Sequence, residues 1–125
     1  MRLASWCLAI YWPVFVYIFH VPLEPRPPGD KLPLDKVVHF GAYAVLGFLL
    51  AWVVWPWWQQ RVQRSYRQLA YVLLVALMIH GAIDEVTQPL TGRNFEWLDL
   101  VADAIGGAAG IATFAWLAKV GREAK

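Results

Sequence analysis

The sequence predicts an all-α integral membrane protein, a bundle of four transmembrane helices with both termini in the cytoplasm. Three observations support this fold class: 59% of the 125 residues are hydrophobic, only 16% are charged, and four apolar stretches of span length follow one another. Four spans of about 20 residues occupy most of a chain of this length. We therefore expect residues 1–125 to form a single transmembrane domain.

The first predicted span covers residues 3–21 and follows Arg2, so it shares features with a secretory signal peptide. However, no small-x-small cleavage site follows it, and the apolar run is longer than a typical signal core. We interpret it as a retained helix with a kink at Pro13. Residues 22–35 contain five prolines and favour an extended, semi-rigid connection.

The other three predicted spans cover residues 37–58, 69–89 and 96–117. The second ends in a cluster of four tryptophans, whose amphipathic rings suit the headgroup region of a membrane. A basic loop leads to the third span, and the short turn 90–94 leads to the fourth. The tryptophan cluster, the basic loop and the short turn therefore separate the apolar runs into distinct helices.

Orientation follows from the distribution of lysine and arginine, which favour the cytoplasmic side. One side carries Arg2, Arg61, Arg64, Arg67, Lys119, Arg122 and Lys125. The other side carries Arg26, Lys31, Lys36 and Arg93. The excess predicts that both termini are cytoplasmic. Because the basic residues lie in short clusters and the net charge is only +2, we expect no nucleic-acid partner.

Polar residues converge on the outer side of this predicted bundle. An even number of spans places the start of helix two, the end of helix three and the start of helix four at one membrane face. The residues found there are Asp35, Lys36, His39, Asp84, Glu85, Gln88, Arg93, Asp99 and Asp103. Positions four apart share a helix face, which groups Asp35 with His39, and Asp99 with Asp103. Ionisable groups in a span are costly, so these must be paired or solvated.

Structural roles compete with functional ones for several of these residues. Asp35 and Asp99 suit the first turn of a helix, where an acid complements the dipole. His80 suits a structural hydrogen bond to Asp84, and Tyr43 suits core packing. By contrast, the adjacent acids Asp84 and Glu85 at a helix end are difficult to explain as surface decoration, so we favour functional roles for them, together with His39 and Arg93.

Three motifs in order resemble the VanZ-like family: Asp35-Lys36-x-x-His39-Phe40, then Asp84-Glu85-x-x-Gln88 with Arg93, then Asp99, Asp103 and Gly106-x-x-x-Gly110. The resemblance covers about residues 35–117, and at the position of Asp103 the family often has asparagine. It implies a bacterial inner-membrane protein of a family named after a member associated with low-level resistance to the lipoglycopeptide teicoplanin. It carries no molecular mechanism with it.

The first functional hypothesis is a binding role in the cell envelope. The outer polar site would hold an amphiphile, a lipid-linked cell-wall intermediate or a lipoglycopeptide among the membrane lipids. Arg93 and Lys36 would contact an anionic headgroup. The remaining members of the predicted binding set are Gln88, Asp35, Asp99 and Asp103.

The second hypothesis is a membrane-embedded hydrolase or transferase acting on a lipid-linked substrate. Glu85 would act as general acid or base with His39 as its partner and Asp84 beside them, while Arg93 would stabilise developing negative charge. No cofactor is evident. A divalent metal remains open because carboxylates and imidazole ligate several ions, with His39, Asp84, Glu85 and Asp99 as the candidate ligands.

The third hypothesis is proton-coupled transport through an intramembrane pair, His80 and Asp84. Four helices leave little room for alternating access within one chain. A homodimer formed through Gly106 and Gly110, which permit close helix approach, would provide it.

Overall fold

The computed structural model describes residues 2–21, 33–91 and 96–123, and it is all-α throughout these ranges. In chain order the elements are α1 (Arg2–His20), α2 (Pro33–Arg61), α3 (Tyr66–Thr87), a short 3₁₀ helix (Gln88–Thr91) and α4 (Trp97–Glu123). Each of the four α-helices is long and apolar enough to cross a membrane. The predicted four-helix class is confirmed, and the chain is a multi-pass membrane protein.

The connection between α2 and α3 is a tight turn with its own hydrogen bonds. Gln63 adopts a positive φ of 54°, and its N–H donates to the carbonyl oxygen of Trp58 at 3.1 Å. The side-chain oxygen of Gln68 accepts from the backbone N–H of Ser65 at 3.2 Å. This bond satisfies a donor at the start of α3. The two helices are thereby joined as antiparallel neighbours.

Helix α3 ends by tightening into the 3₁₀ helix. The Thr87 hydroxyl donates to the carbonyl oxygen of Ile83 at 2.8 Å, and the Gln88 N–H donates to that of Asp84. Pro89 follows and has no N–H to continue the α-helical pattern. The tighter turn keeps Gln88 buried in the bundle.

Helices α2 and α4 make the most extensive contact in the bundle, and glycines allow it. A Cβ atom at Gly106 would lie 2.9 Å from the carbonyl carbon of Phe40, and one at Gly110 would lie 2.8 Å from that of Ala44. The two backbones therefore touch directly, as small residues permit in membranes. Gly106 and Gly110 therefore serve a contact within the chain.

Polar side chains share the interior of this bundle with an apolar core, and large apolar side chains cover its outside. The buried polar residues are His39, Asp84, Glu85, Gln88, Asp99 and Asp103. Large hydrophobic residues face outward on every α-helix, including Trp6, Val45, Ile79 and Val101. The apolar outer surface suits a lipid surround. The buried aromatic rings of Phe15 and Phe19 on α1 stack at 4.5 Å and close the bundle beside the polar residues.

Candidate functional site

The polar residues gather at one end of the bundle, which we call the site end. The start of α2, the end of α3 and the start of α4 meet there, as the bonds of Lys36 with Asp99 and of Glu85 with Glu96 show. The end of α1 joins them, because His20 Nε2 lies 2.9 Å from the hydroxyl oxygen of Thr87. The predicted convergence of these helix ends is therefore present in the fold.

An ion-pair network forms the rim of the site end. Lys36 Nζ lies 2.6 Å from Asp99 Oδ1 and 2.9 Å from Glu96 Oε2. The side chains of Lys36 and Glu96 remain about 30% exposed, whereas that of Asp99 is 3% exposed. The lysine charge is thus shared between Asp99 of α4 and Glu96, which directly precedes that helix. Glu96 was not among the sequence candidates, although its position one turn before Asp99 would have indicated it.

The centre of the site is a buried pair of His39 and Asp103. His39 Nδ1 donates to Asp103 Oδ1 at 2.8 Å, and both side chains are at most 2% exposed. The edge of the imidazole meets the ring of Phe19 at a centroid distance of 4.6 Å and an interplanar angle of 87°. The other nitrogen, Nε2, lies 3.7 Å from Asp99 Oδ2, beyond hydrogen-bond distance. The imidazole is held rigidly but keeps one nitrogen without a partner.

A directed chain of hydrogen bonds lies next to this pair. Trp12 Nε1 donates to His80 Nε2 at 3.1 Å, so His80 carries its proton on Nδ1. His80 Nδ1 lies 2.9 Å from the Tyr43 hydroxyl, which in turn donates to Asp84 Oδ2 at 2.8 Å. This series of hydrogen bonds runs from α1 to α3, then to α2, and back to α3. It uses Asp84 as its terminal acceptor.

Glu85 and Gln88 complete the site from the end of α3. Glu85 is fully buried, and its Oε2 accepts from the backbone N–H of Glu96 at 3.0 Å, just before α4 begins. An anionic group at that position also complements the positive end of the helix dipole. The second oxygen of Glu85, Oε1, has no partner, and neither does Gln88 Nε2.

Unsatisfied polar atoms are the most unusual property of this site. Among the described residues, four such buried atoms belong to site residues: His39 Nε2, Glu85 Oε1, Gln88 Nε2 and Asp103 Oδ2. A buried polar group without a hydrogen bond costs about 1–3 kcal/mol, and a charged one costs more. Proteins rarely retain several such groups together without a bound partner. The arrangement therefore favours bound water, a cation, or a ligand that supplies both donors and acceptors.

Two groups of described residues have the spacing of a metal site. Asp35, His39 and Asp99 form one, and His39, Glu85 and Asp103 form the other, with ligand atoms within 4.8 Å of one another in each. His39 belongs to both groups. Asp84, which sequence reasoning placed among the metal candidates, is in neither and lies instead in the chain with Tyr43 and His80.

The structure thus brings together Lys36, His39, Glu85, Gln88, Asp99 and Asp103, with Asp35 beside them at the start of α2. Arg93, the predicted clamp, lies outside the described residues. Sequence reasoning underestimated Tyr43, which was assigned to packing. Its place one turn after His39 on the same helical face was the available signal.

Comparison with known proteins agrees with these features. No curated protein and no solved structure matches the chain significantly. A model of the VanZ/LLP1 family matches residues 5–118, which takes in most of the chain and all four helices. The match confirms the resemblance drawn from the three motifs, and the chain belongs to the VanZ/LLP1 family.

Proposed function

We propose that this protein binds the polar group of an envelope amphiphile at the site end of its bundle. The ligand is a membrane lipid, a lipid-linked cell-wall intermediate or a lipoglycopeptide. The site end faces outward from the bacterial inner membrane, with both chain termini in the cytoplasm. Binding there lowers sensitivity to lipoglycopeptide antibiotics such as teicoplanin, by analogy with the member that gave the family its name.

The observation that carries this proposal is the set of unsatisfied buried atoms. His39 Nε2, Glu85 Oε1, Gln88 Nε2 and Asp103 Oδ2 offer donors and acceptors from three helices and the 3₁₀ helix. The apolar outer surface of the same helices suits an acyl chain. At the rim, Lys36 already pairs with Asp99 and Glu96, so its role is to hold these two acids in place.

The experiment is native mass spectrometry of the protein purified from bacterial membranes in mild detergent. We expect a co-purified amphiphile on the native chain and its loss from Gln88→Ala, which removes one unsatisfied amide. The matched control is Gln60→Ala, the same change at an exposed position near the other end of α2. Equal amphiphile retention by the two variants would contradict the proposal.

A susceptibility assay tests the physiological part of the proposal. Cells expressing the native chain should tolerate more teicoplanin than cells expressing Gln88→Ala at the same membrane level, with Gln60→Ala matching the native chain. Identical inhibitory concentrations for the native chain, Gln88→Ala and Gln60→Ala would show that amphiphile binding does not protect cells against teicoplanin.

A second candidate function, hydrolysis or group transfer on a lipid-linked substrate, is favoured by the buried dyad of His39 and Asp103. A carboxylate that holds an imidazole at 2.8 Å fixes its tautomer and leaves Nε2 available to accept a proton. Glu85, with one free oxygen beside it, is the second acid or base. Among the described residues at the site end, no side chain pairs a nucleophilic hydroxyl with either group, so water would be the attacking species.

Envelope-lipid mass spectrometry distinguishes the two candidates. Cells express either the native chain or Glu85→Gln, which keeps the shape of the side chain while removing its charge. A lipid species that changes with the native chain and not with the variant would establish catalysis, and its headgroup would identify the reaction. Identical lipid profiles would favour binding without turnover.

A further inference from the structure

Three buried side chains at the site end have the composition and spacing of a metal centre. His39, Glu85 and Asp103 are each at most 1% exposed, and each offers a ligand atom within 4.8 Å of the other two. In the tetrahedral coordination of Zn²⁺, donors about 2.1 Å from the ion lie about 3.4 Å apart. Small side-chain movements would therefore bring all three onto one ion.

The second observation is that every one of these residues has an unpartnered atom. Glu85 uses Oε2 for the Glu96 N–H, and Asp103 uses Oδ1 for His39, which leaves Glu85 Oε1 and Asp103 Oδ2 free. His39 likewise keeps Nε2 free. Hydrogen bonds within the protein thus orient all three groups without saturating them. Ion binding by all three residues would replace the bond between His39 Nδ1 and Asp103 Oδ1, because a carboxylate held on Nδ1 lies on the opposite side of the ring from Nε2.

Among the described residues at the site end, buried acids outnumber lysines and arginines. Asp84, Glu85, Asp99 and Asp103 are all buried there. Among the described residues at this end, Lys36 is the single lysine or arginine, and it is bonded to Asp99 and Glu96. Neither Glu85 nor Asp103 has a lysine or arginine partner within that part of the chain. Two carboxylates in a low-dielectric interior strongly favour a bound positive charge.

We propose that His39, Glu85 and Asp103 form a binding site for one divalent transition-metal ion. Two carboxylates with one imidazole suit Zn²⁺ or Mn²⁺ better than an alkali or alkaline-earth ion, because imidazole is a borderline-soft ligand. The ion would satisfy Glu85 Oε1 and Asp103 Oδ2 together. The site differs from the set expected from sequence alone, since Asp103 replaces Asp84. The ion would bind residues that also carry the proposed amphiphile binding, so the inference concerns the same site and is tested by its own measurement.

The test is metal binding by the full-length protein in detergent after treatment with EDTA. Mn²⁺ titration followed by electron paramagnetic resonance should show one tightly bound ion per chain, and Zn²⁺ should displace it. Glu85→Gln and Asp103→Asn should weaken Mn²⁺ affinity more than about 100-fold, since loss of even an outer-shell partner typically costs about 10–100-fold. Asp84→Asn is the matched control, because it removes a buried charge from the same end and belongs to neither metal group; it should retain binding.

A second measurement covers the possibility that the ligand variants fold poorly. Pulsed electron paramagnetic resonance on the Mn²⁺-loaded native protein should show a ¹⁴N coupling from the His39 ring, and Mn²⁺ should raise the Tm of the native chain. Failure of the native chain to bind a stoichiometric ion would overturn the inference, as would equal loss of affinity in Asp84→Asn and Glu85→Gln. Native mass spectrometry of the EDTA-treated protein tests amphiphile binding separately, so the two proposals fail independently.

Discussion

Replacing Gly106 with alanine should loosen the contact between α2 and α4. The new methyl group would lie 2.9 Å from the carbonyl carbon of Phe40 and 3.0 Å from its Cα, whereas ordinary contacts begin at 3.4 Å. The opposing atoms are backbone, so no side-chain rotation can relieve the overlap. The carbonyl oxygen of Phe40 would lie closer still, so the two helices must separate by about 1 Å at this point.

The expected cost follows from two opposing effects. Overpacking of this kind costs about 1–3 kcal/mol, and a rigid backbone contact belongs at the upper end of that range. Alanine regains about 0.5–1 kcal/mol relative to glycine inside a helix. The net loss in the free energy of unfolding should be about 2 kcal/mol. Because Phe40 follows His39 directly, the same displacement would stretch the 2.8 Å bond between His39 and Asp103.

The assay is unfolding in mixed micelles by titration with sodium dodecyl sulfate, followed by tryptophan fluorescence. Gly41→Ala is the matched control, since a Cβ atom at Gly41 meets nothing within 4 Å. That variant should be as stable as the native chain or slightly more stable. If Gly106→Ala were also as stable as the native chain, the direct backbone contact between α2 and α4 would be refuted.

Three further substitutions test hydrogen bonds by the same unfolding assay. Tyr43→Phe removes the donor that lies 2.8 Å from buried Asp84 and should cost about 1–3 kcal/mol; an unchanged midpoint would exclude that bond. Lys36→Met leaves Asp99 without its cation and should destabilise the protein, and adding Asp99→Asn should restore much of the loss, as a double-mutant cycle measures. Tyr11→Phe deletes the 2.8 Å bond to the carbonyl oxygen of Ala42 and should cost about 1 kcal/mol, with no loss expected if α1 packs only through apolar contacts.

The helix count and the gathering of polar residues at one end were predictable because both follow from linear properties of the sequence. Hydropathy identifies the membrane spans, and each span must be a helix because its backbone N–H and C=O groups have no water to bond in lipid. Once four spans are known, their ends alternate between two membrane faces. This alone places Lys36, Glu85 and Asp99 on the same side without any knowledge of packing.

The pairing of side chains within the site could not be predicted. Helical periodicity shows which residues share a face of one helix, but it does not show how that helix is rotated or how far it is shifted along its neighbour. Asp84 and Glu85 are adjacent in sequence, yet one joins Tyr43 and the other reaches the start of α4. Asp103 meets His39 because the glycines of α4 bring the two backbones together. The sequence shows these glycines, but which helix packs against them is determined only in the folded bundle.

The bonds between α2 and α4 also bear on how the chain enters the membrane. Glu96, Asp99 and Asp103 lie in or just before the first two turns of α4, and each charged side chain costs about 2.5–3.5 kcal/mol at the centre of an inserting helix. Their partners, Lys36 and His39, are synthesised about 60 residues earlier. Helix α2 is therefore already in the bilayer when α4 inserts, and Lys36 and His39 can pair with the acidic side chains of the inserting segment. Biogenesis of the last helix should depend on prior integration of the second.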